Sequence, residues 1–370
     1  MMTLLVIIAT ITLGYVFLIL LFSFGVAKLK KSNLRERDDK TNASIVIPFK
    51  NEEQNLPTLI QSILSLNTNQ RTIEVIFVND HSSDNSINII SSIKSISENL
   101  IFKTIDLNHE HGKKAAQHAG VMAASFDMVM FTDADCMVPQ QWIDLMIGKL
   151  KDDSVMVCGA VVYQQRKSIS NLVFRADFSS LVLSGAGAIG IGKPIFCNAA
   201  NMLIRKTSYQ IIHKEIKGKS NASGDDVFLL HAVIKHFGAR SVLYCFYNEA
   251  VVSTPSPKSY TDFIKQRQRW ASKSILYRNT MAVLTSFIVF MMSFTICVLA
   301  VLFTKTSLIA CAAVLTLKTL ADTILFYTGK KLKGNTNMYL YHILFQPVYP
   351  IYIVVTAILS LTVNPKWKQI

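Results

Sequence analysis

Three short clusters in this chain have the residue types and spacing of a reacting site. The first is MVMFTDADCMVP (128–139), where an apolar run ends in Asp133 and Asp135, one residue apart. In an extended segment residues i and i+2 point to the same side, so the two carboxylates are expected to share a face and repel. A hard divalent ion with oxygen ligands, Mg2+ or Mn2+, removes that repulsion and bridges to phosphate oxygens. In the plainer reading one aspartate caps the helix that begins at Pro139 and the other is solvated; spacing alone leaves both open. The second cluster, SGDDVFLL, sets Asp225 and Asp226 at a helix start, where negative charge is favourable. They read either as an N-cap with a first-turn acid or as a general base, its pKa raised by apolar surroundings and the adjacent acid. The third is QRQRW. Gln266, Arg269 and Trp270 fall at i, i+3 and i+4, one patch of a helix. Arginine forks onto phosphate, and indole offers a flat apolar face with one N–H donor. A basic membrane-surface helix with snorkelling side chains is the simpler alternative.

Elements of alternating type must position these clusters. ASIVIPF (43–49), IEVIFVND (73–80), LIFKTIDL (100–107) and FDMVMFTDAD (126–135) read as strands. Between them lie helical patterns: Leu56, Leu59, Ile60, Ile63 and Leu64 on one face, then 84–96, then the small-residue run GKKAAQHAGVMAA (112–124). Continuously apolar strands alternating with helices predict an α/β fold with a parallel sheet covered on both faces. Ligands of such sheets bind beyond the carboxyl ends of the strands, where Asp80 and the Asp133/Asp135 pair fall. VMVCGAVVY (155–163) and IFCNAANMLI (195–204) read as further strands, and Asp225–Phe237 as a helix. The apolar stretch 172–192 is either a helix on the membrane surface or a lid.

The chain is 51% hydrophobic with mean hydropathy +0.34, too apolar for an ordinary soluble domain. Four segments are long enough to span a bilayer as helices: Leu4–Val26, Met281–Phe303, Ser307–Thr328 and Met338–Val363. The basic stretch KLKKSNLRER follows the first, the layout of an uncleaved anchor with its N-terminus outside. The domains expected are an anchor at 1–27, a cytoplasmic catalytic domain at 28–280 that includes an interfacial QRQRW helix, three spans within 281–363, and a tail at 364–370. The loop GKKLKGN falls inside, as the positive-inside rule requires; the two lysines of NPKWKQI fall outside, against it. The net charge of +14 suits anionic lipid headgroups or a polyphosphate ligand, and nucleic acid is not expected as a partner. Six cysteines without CxxC spacing are expected to be small buried hydrophobes, with no disulfide and no zinc. The histidines form no evident metal set, and His109 and His111 are expected to be solvated residues flanking a turn. Lys318 and Asp322, at i and i+4 in the third span, are costly facing lipid. They either line a polar path or neutralise each other and order the bundle.

The order SIVIPFKNEE, VIFVNDHSSD, HGKKAAQHAG, FTDADC, GDDVFLL, QRQRW resembles the family 2 glycosyltransferases, in their membrane-bound branch with a QxxRW box. The resemblance runs from about Ser44 to Ser274 and includes the flanking spans. It implies a GT-A fold, a Rossmann-like mixed sheet, acting on a nucleotide-diphosphate sugar, usually UDP-linked, with a divalent metal and inversion at the anomeric carbon. It also implies roles. Asp80 would contact the nucleobase and Lys113 would lie near the nucleotide. Asp133 and Asp135 would hold the metal and diphosphate. Asp226 would deprotonate the acceptor hydroxyl beside Asp225, and Gln266, Arg269 and Trp270 would cradle donor diphosphate and acceptor. The chain departs from the family pattern at four points. His81 stands where glycine is frequent, Asn79 replaces the first of an aspartate pair, His118 replaces an asparagine, and Asp225 replaces a glutamate.

The branch contains processive polysaccharide synthases and enzymes that add one sugar to a lipid. One span before the domain and three after resembles the lipid-modifying layout, so single-sugar transfer to a membrane lipid is expected ahead of polymer synthesis. A polymerase of this size would call for an export partner or a homo-oligomer. A non-catalytic nucleotide-sugar-binding subunit is a third reading, which the base Asp226 argues against. A dolichyl-phosphate-type transferase does not normally carry QxxRW.

Overall fold

A computed structural model describes residues 2–31, 40–68, 70–93, 98–217, 225–274, 277, 279–332 and 336–361. Residues 32–39 of the basic stretch, 333–335 of the short loop and the tail 364–370 lie outside the described residues. In chain order the elements are α1 (Met2–Lys30), β1 (Ala43–Phe49), α2 (Leu56–Leu64), β2 (Ile73–Asn79), α3 (Ser86–Ser91), β3 (Leu100–Asp106), α4 (Lys113–Ala123), β4 (Met128–Phe131), α5 (Trp142–Lys149), β5 (Met156–Gly159) and β6 (Val161–Tyr163). They continue with α6 (Ile169–Gly190), β7 (Met202–Arg205), α7 (Lys206–Lys217), α8 (Asp225–Phe237), β8 (Val242–Cys245), β9 (Val252–Thr254), α9 (Tyr260–Ser274), α10 (Thr280–Leu302), α11 (Lys305–Gly329), α12 (Met338–Phe345) and α13 (Tyr349–Ser360). The described residues form two compact units, one within residues 31–164 and 196–255, the other within residues 2–30, 165–195 and 256–361.

The first unit is built on a seven-stranded sheet in the order β3-β2-β1-β4-β7-β5-β8. β1 runs parallel to β2 and β4, and β2 to β3; β7 is antiparallel to both β4 and β5. The sheet is therefore mixed rather than wholly parallel. All seven residues of β1 and of β2 are buried, each large apolar side chain contributing about 1.5–3 kcal/mol. The apolar run 155–163 is two strands, because β5 joins the main sheet while β6 pairs with β9 in a separate ribbon. Chain order reverses between β1 and β4, with β2 on the other side of β1, so the carboxyl ends of these three strands form the crevice where such sheets bind ligands.

The second unit consists of apolar helices. α1, α6, α10 and α11, of 29, 22, 23 and 25 residues, are long and apolar enough to cross a membrane. The segment read as surface helix or lid is α6, most of it buried. It crosses α1 at glycines: a Cβ on Gly25 would sit 2.0 Å from the Gly187 carbonyl oxygen, and one on Gly190 would sit 2.2 Å from that of Gly25. Small residues allow this backbone approach, the main source of helix association in lipid. The expected fourth span is not one straight helix. α12 and α13 are bent by 70° at a break of three residues, where Pro347 lacks the N–H that would continue the helical hydrogen-bond ladder.

Gln346, at that break, joins a buried polar cluster. Lys318 Nζ donates to Asp322 Oδ2 and to Gln346 Oε1, both at 2.7 Å. Gln346 Nε2 donates to Asp322 Oδ2 at 2.8 Å, and Tyr15 Oη to Asp322 Oδ1 at 2.8 Å. The Lys318 ammonium also lies 4.5 Å from the Tyr349 ring centroid. Of the two readings of this pair, the contacts fit the ordering ion pair: Lys318 is wholly buried, with two hydrogen bonds and an aromatic face on its ammonium. Breaking a buried pair by removing one partner costs about 3–5 kcal/mol. Lys318→Met should therefore lower the thermal midpoint in detergent further than Lys318→Met combined with Asp322→Leu does. A single variant at least as stable as the double would contradict this reading.

Candidate functional site

The crevice is walled by loops that leave β1 and β2, and short polar side chains tie those loops to each other. Asp80 N donates to Phe49 O at 2.9 Å. Asn51 N donates to Ser82 Oγ at 3.1 Å and Ser83 N to Asn51 Oδ1 at 2.8 Å. Glu53 N donates to Asp84 Oδ2, and Asn85 N returns the bond to Glu53 Oε2, each at 3.0 Å. Asn79, the departure from an aspartate pair, ties β2 to β3 by donating to Asp106 Oδ1 at 2.8 Å, and its Oδ1 accepts from Ser82 N at 2.9 Å. Reciprocal bonds of this kind hold backbone that no ladder satisfies.

Asp80 is 1% exposed. Its Oδ2 accepts from Gly112 N at 3.1 Å, while its Oδ1 lies 3.1 Å from His81 Nδ1 and 3.7 Å from His111 Nδ1. Gly112 has φ +96° and precedes α4; this backbone region suits glycine. It turns the chain so that Lys113, the first helical residue, reaches Asp133 Oδ1 with its ammonium. Three residues carried over from the family motifs, Asp80, Lys113 and Asp133, are thus brought to one end of the sheet.

Asp133 and Asp135 are not in extended structure. β4 ends at Phe131, and Cys136 N donates to Asp133 O at 3.0 Å, closing a turn. The same-face argument from strand geometry is therefore corrected. The cap reading also fails, since the following helix starts at Trp142 with no side-chain cap bond. The carboxylates nevertheless crowd. Burial, then the charge of Asp133, then that of Glu52 push the Asp135 carboxyl up to about 6, with Lys113 opposing. Cys136 lies beneath, 1% exposed, its thiol 3.6 Å from Asp135 Oδ1; burial, reinforced by both aspartates, keeps that thiol protonated. An oxygen-only donor set with surplus negative charge fits a hard divalent cation.

Asp226 opens α8 half-buried. Val227 N donates to its Oδ1 at 2.8 Å and Ala199 N to its Oδ2 at 3.4 Å. The turn that carries Ala199 is pinned by Asn201. The Asn201 amide donates to Ala160 O and Ala250 O and accepts from Trp142 Nε1, all at 2.8 Å. Asp225 is the first residue of α8; its side chain lies outside the described residues. Cys136, Cys158, Cys197 and Cys245 are buried free thiols, and Cys197 Sγ approaches Asp226 O at 3.4 Å.

Gln266, Arg269 and Trp270 lie on α9 in the unit of apolar helices, all half-buried. The residue that organises them is Arg267, which the motif leaves unnamed. Its guanidinium pairs with Asp177 of α6 at 2.6 Å, donates to Gln266 Oε1 at 3.0 Å, and stacks 4.2 Å from the Trp270 ring centroid. Sequence reasoning also missed Glu52 and the His81–His111 pair, whose ring centroids are 4.1 Å apart. His111 is exposed, as expected, but its ring also packs on His81 and faces Asp80, a grouping the sequence does not show. The signal was present for His81, which occupies a frequent glycine position with φ +57°.

The family model Glycosyl transferase family 2 matches residues 44–207, and Glycosyl transferase family group 2 matches residues 128–326. A poly-beta-1,6-N-acetyl-D-glucosamine synthase of Staphylococcus aureus is 31% identical over 147 residues, 39% of this chain and 34% of that protein. An undecaprenyl-phosphate 4-deoxy-4-formamido-L-arabinose transferase of Proteus mirabilis is 31% identical over 140 residues, 38% of this chain and 41% of that protein. The chain thus spans about a third to two fifths of the length of the curated relatives it matches. A mannosyltransferase of Pyrobaculum calidifontis, solved in complex with GDP-Man and Mn2+, superimposes with a TM-score of 0.56 at 15% identity, covering 95% of this chain and 98% of that one. That likeness shows a shared GT-A fold.

The carboxyl of Asp135 sits above its ordinary value, so the folded metal-free protein holds more protons there than the unfolded chain. Its contribution to stability therefore falls as pH rises between about 4 and about 6. In EDTA, Asp135→Asn should melt a few degrees above the parent at pH 7.5, and the difference should vanish by about pH 4. Melting curves across that range check it, and a variant less stable at pH 7.5 contradicts it.

Proposed function

This chain belongs to glycosyl transferase family 2, and from that premise we propose that it moves one sugar from a UDP-linked donor, of the UDP-Glc or UDP-GlcNAc type, to a hydroxyl of a membrane lipid, with inversion. The observation that carries the proposal is the crowded end of the sheet, where Lys113 meets Asp133 beside a carboxyl pushed up to about 6. Surplus negative charge at a crevice suits a site completed by a cation and a diphosphate. Asp133 and Asp135 hold Mg2+ or Mn2+, which when bound supplies positive charge at the departing diphosphate.

The remaining roles fall to the chain's own side chains. Asp80 accepts from the donor base. Lys113 neutralises charge on the diphosphate, and Arg269 forks onto it with Gln266. Asp226 takes the proton of the acceptor hydroxyl, which is a poor nucleophile until deprotonated. Asp225 and the indole of Trp270 receive the acceptor. A single displacement requires one base and no covalent intermediate, in keeping with the one pair of adjacent acids at α8. Residues 1–27 and 281–363 anchor the chain with α6 packed on α1 as a helix that does not cross, and the positive-inside rule assigns the rest of 28–280 to the cytoplasmic face of the plasma or inner membrane, with the N-terminus outside.

Processive synthesis is the second reading, favoured by the name of the staphylococcal relative; such a synthase would work with an export partner or as a homo-oligomer. Membranes containing the chain, incubated with labelled UDP-sugars and Mn2+ and extracted with organic solvent, separate the two. Lipid-soluble label is expected; label in polymer would overturn the lipid-acceptor proposal. Asp226→Asn should lower turnover by about 10²–10⁴-fold while leaving the melting temperature in place. Full activity in that variant would remove Asp226 from the role of base.

A further inference from the structure

Around Asp80 the hydrogen bonds do not balance. His81 Nε2 lies 3.2 Å from Asn108 O. A carbonyl oxygen only accepts, so Nε2 carries the hydrogen. In the neutral ring Nδ1 then directs a lone pair at Asp80 Oδ1, 3.1 Å away. His111 Nδ1 faces the same oxygen at 3.7 Å, while Oδ2 is already taken by Gly112 N. Two imidazole nitrogens therefore converge on one oxygen of a buried carboxylate, and a cation placed among them would satisfy the lone pair that His81 turns towards it.

We propose that Asp80, His81 and His111 form a second cation site, specific for a nitrogen-preferring transition ion such as Zn2+ and separate from the oxygen-only pair Asp133/Asp135. The ligand atoms lie within 4.8 Å of one another. Bonds of about 2.0–2.1 Å at tetrahedral angles set ligand atoms about 3.4 Å apart, and the two nitrogen–oxygen distances of 3.1 and 3.7 Å bracket that value. Asn108 O supplies the outer partner that orients His81, as ligating histidines usually have. The His81 backbone is held at φ +57°, a conformation a non-glycine residue adopts at a cost, and it brings the ring over Asp80.

With three protein ligands and side-chain exposures of 34% for His81 and 68% for His111, the site is open to exchange rather than structural. An ion there occupies Asp80 Oδ1 and ties His111, two residues before Lys113, to the end of β2. Zinc is therefore expected to compete with the donor, a consequence that rests on the assignment of Asp80 to the donor base.

The test uses the full-length chain without a polyhistidine tag, in detergent, with excess Mg2+ to fill the oxygen site. Titration with Zn2+ against a chromophoric chelator should give one equivalent of tight binding. His81→Gly and His111→Gln should each weaken it by at least about tenfold, while Asp133→Asn leaves it unchanged. His81→Gly relieves the positive φ and so should melt no lower than the parent, which separates loss of zinc from loss of fold. Binding unchanged in both histidine variants, or lost in Asp133→Asn, overturns the site. In donor-dependent turnover, zinc should raise the apparent KM for donor in the parent and not in His111→Gln. Zinc bound without that effect overturns the competition while leaving the binding result standing.

Discussion

Everything at the carboxyl end of the sheet answers to one constraint, negative charge packed more closely than water would allow it. Asp133, Asp135 and Glu52 lie near enough for the first and last to push the middle carboxyl upward, beyond what burial does alone. Such an arrangement persists only when the surrounding structure over-determines it. The laced β1 and β2 loops, the turn closed by Cys136 N and the glycine that aims Lys113 supply that restraint.

The apolar helices handle a buried carboxylate differently. Asp322 receives bonds from Tyr15, Lys318 and Gln346, and Lys318 also donates to Gln346 and lies over the Tyr349 ring. A carboxylate so fully met is an ordering device. Arg267 and Asp177 are the same device one helix pair away: the arginine's remaining face carries Trp270 and its terminal nitrogen holds Gln266. The chain's charged groups differ in how completely the protein satisfies them. Complete satisfaction marks structure, and a surplus of one sign marks a place for a ligand.

Much of this was legible in the residues. β1 is legible with its observed bounds because the run ASIVIPF is short, mostly apolar and flanked by polar residues, and all seven of its residues are buried. The helix Asp225–Phe237 was equally plain from its apolar face. What failed were inferences that assumed regular geometry where the chain bends. Strand geometry does not extend to Asp133 and Asp135, which follow the end of β4, and a straight fourth span does not accommodate the break at Pro347. Long-range pairing was out of reach altogether. Ninety residues separate Asp177 from Arg267, and no local pattern links His81 to His111. The motif order makes the family readable, because five of its six pieces mark a strand end or a helix start and the sixth is one face of α9.

The central claim is that the acidic turn binds nucleotide diphosphate through a divalent ion. Calorimetric titration of UDP into the purified chain, with Mn2+ and again in EDTA, tests it most directly. Binding should require Mn2+ and weaken by at least about tenfold in Asp133→Asn. Equal affinity for UDP with and without the metal, unaltered by that substitution, would contradict the account.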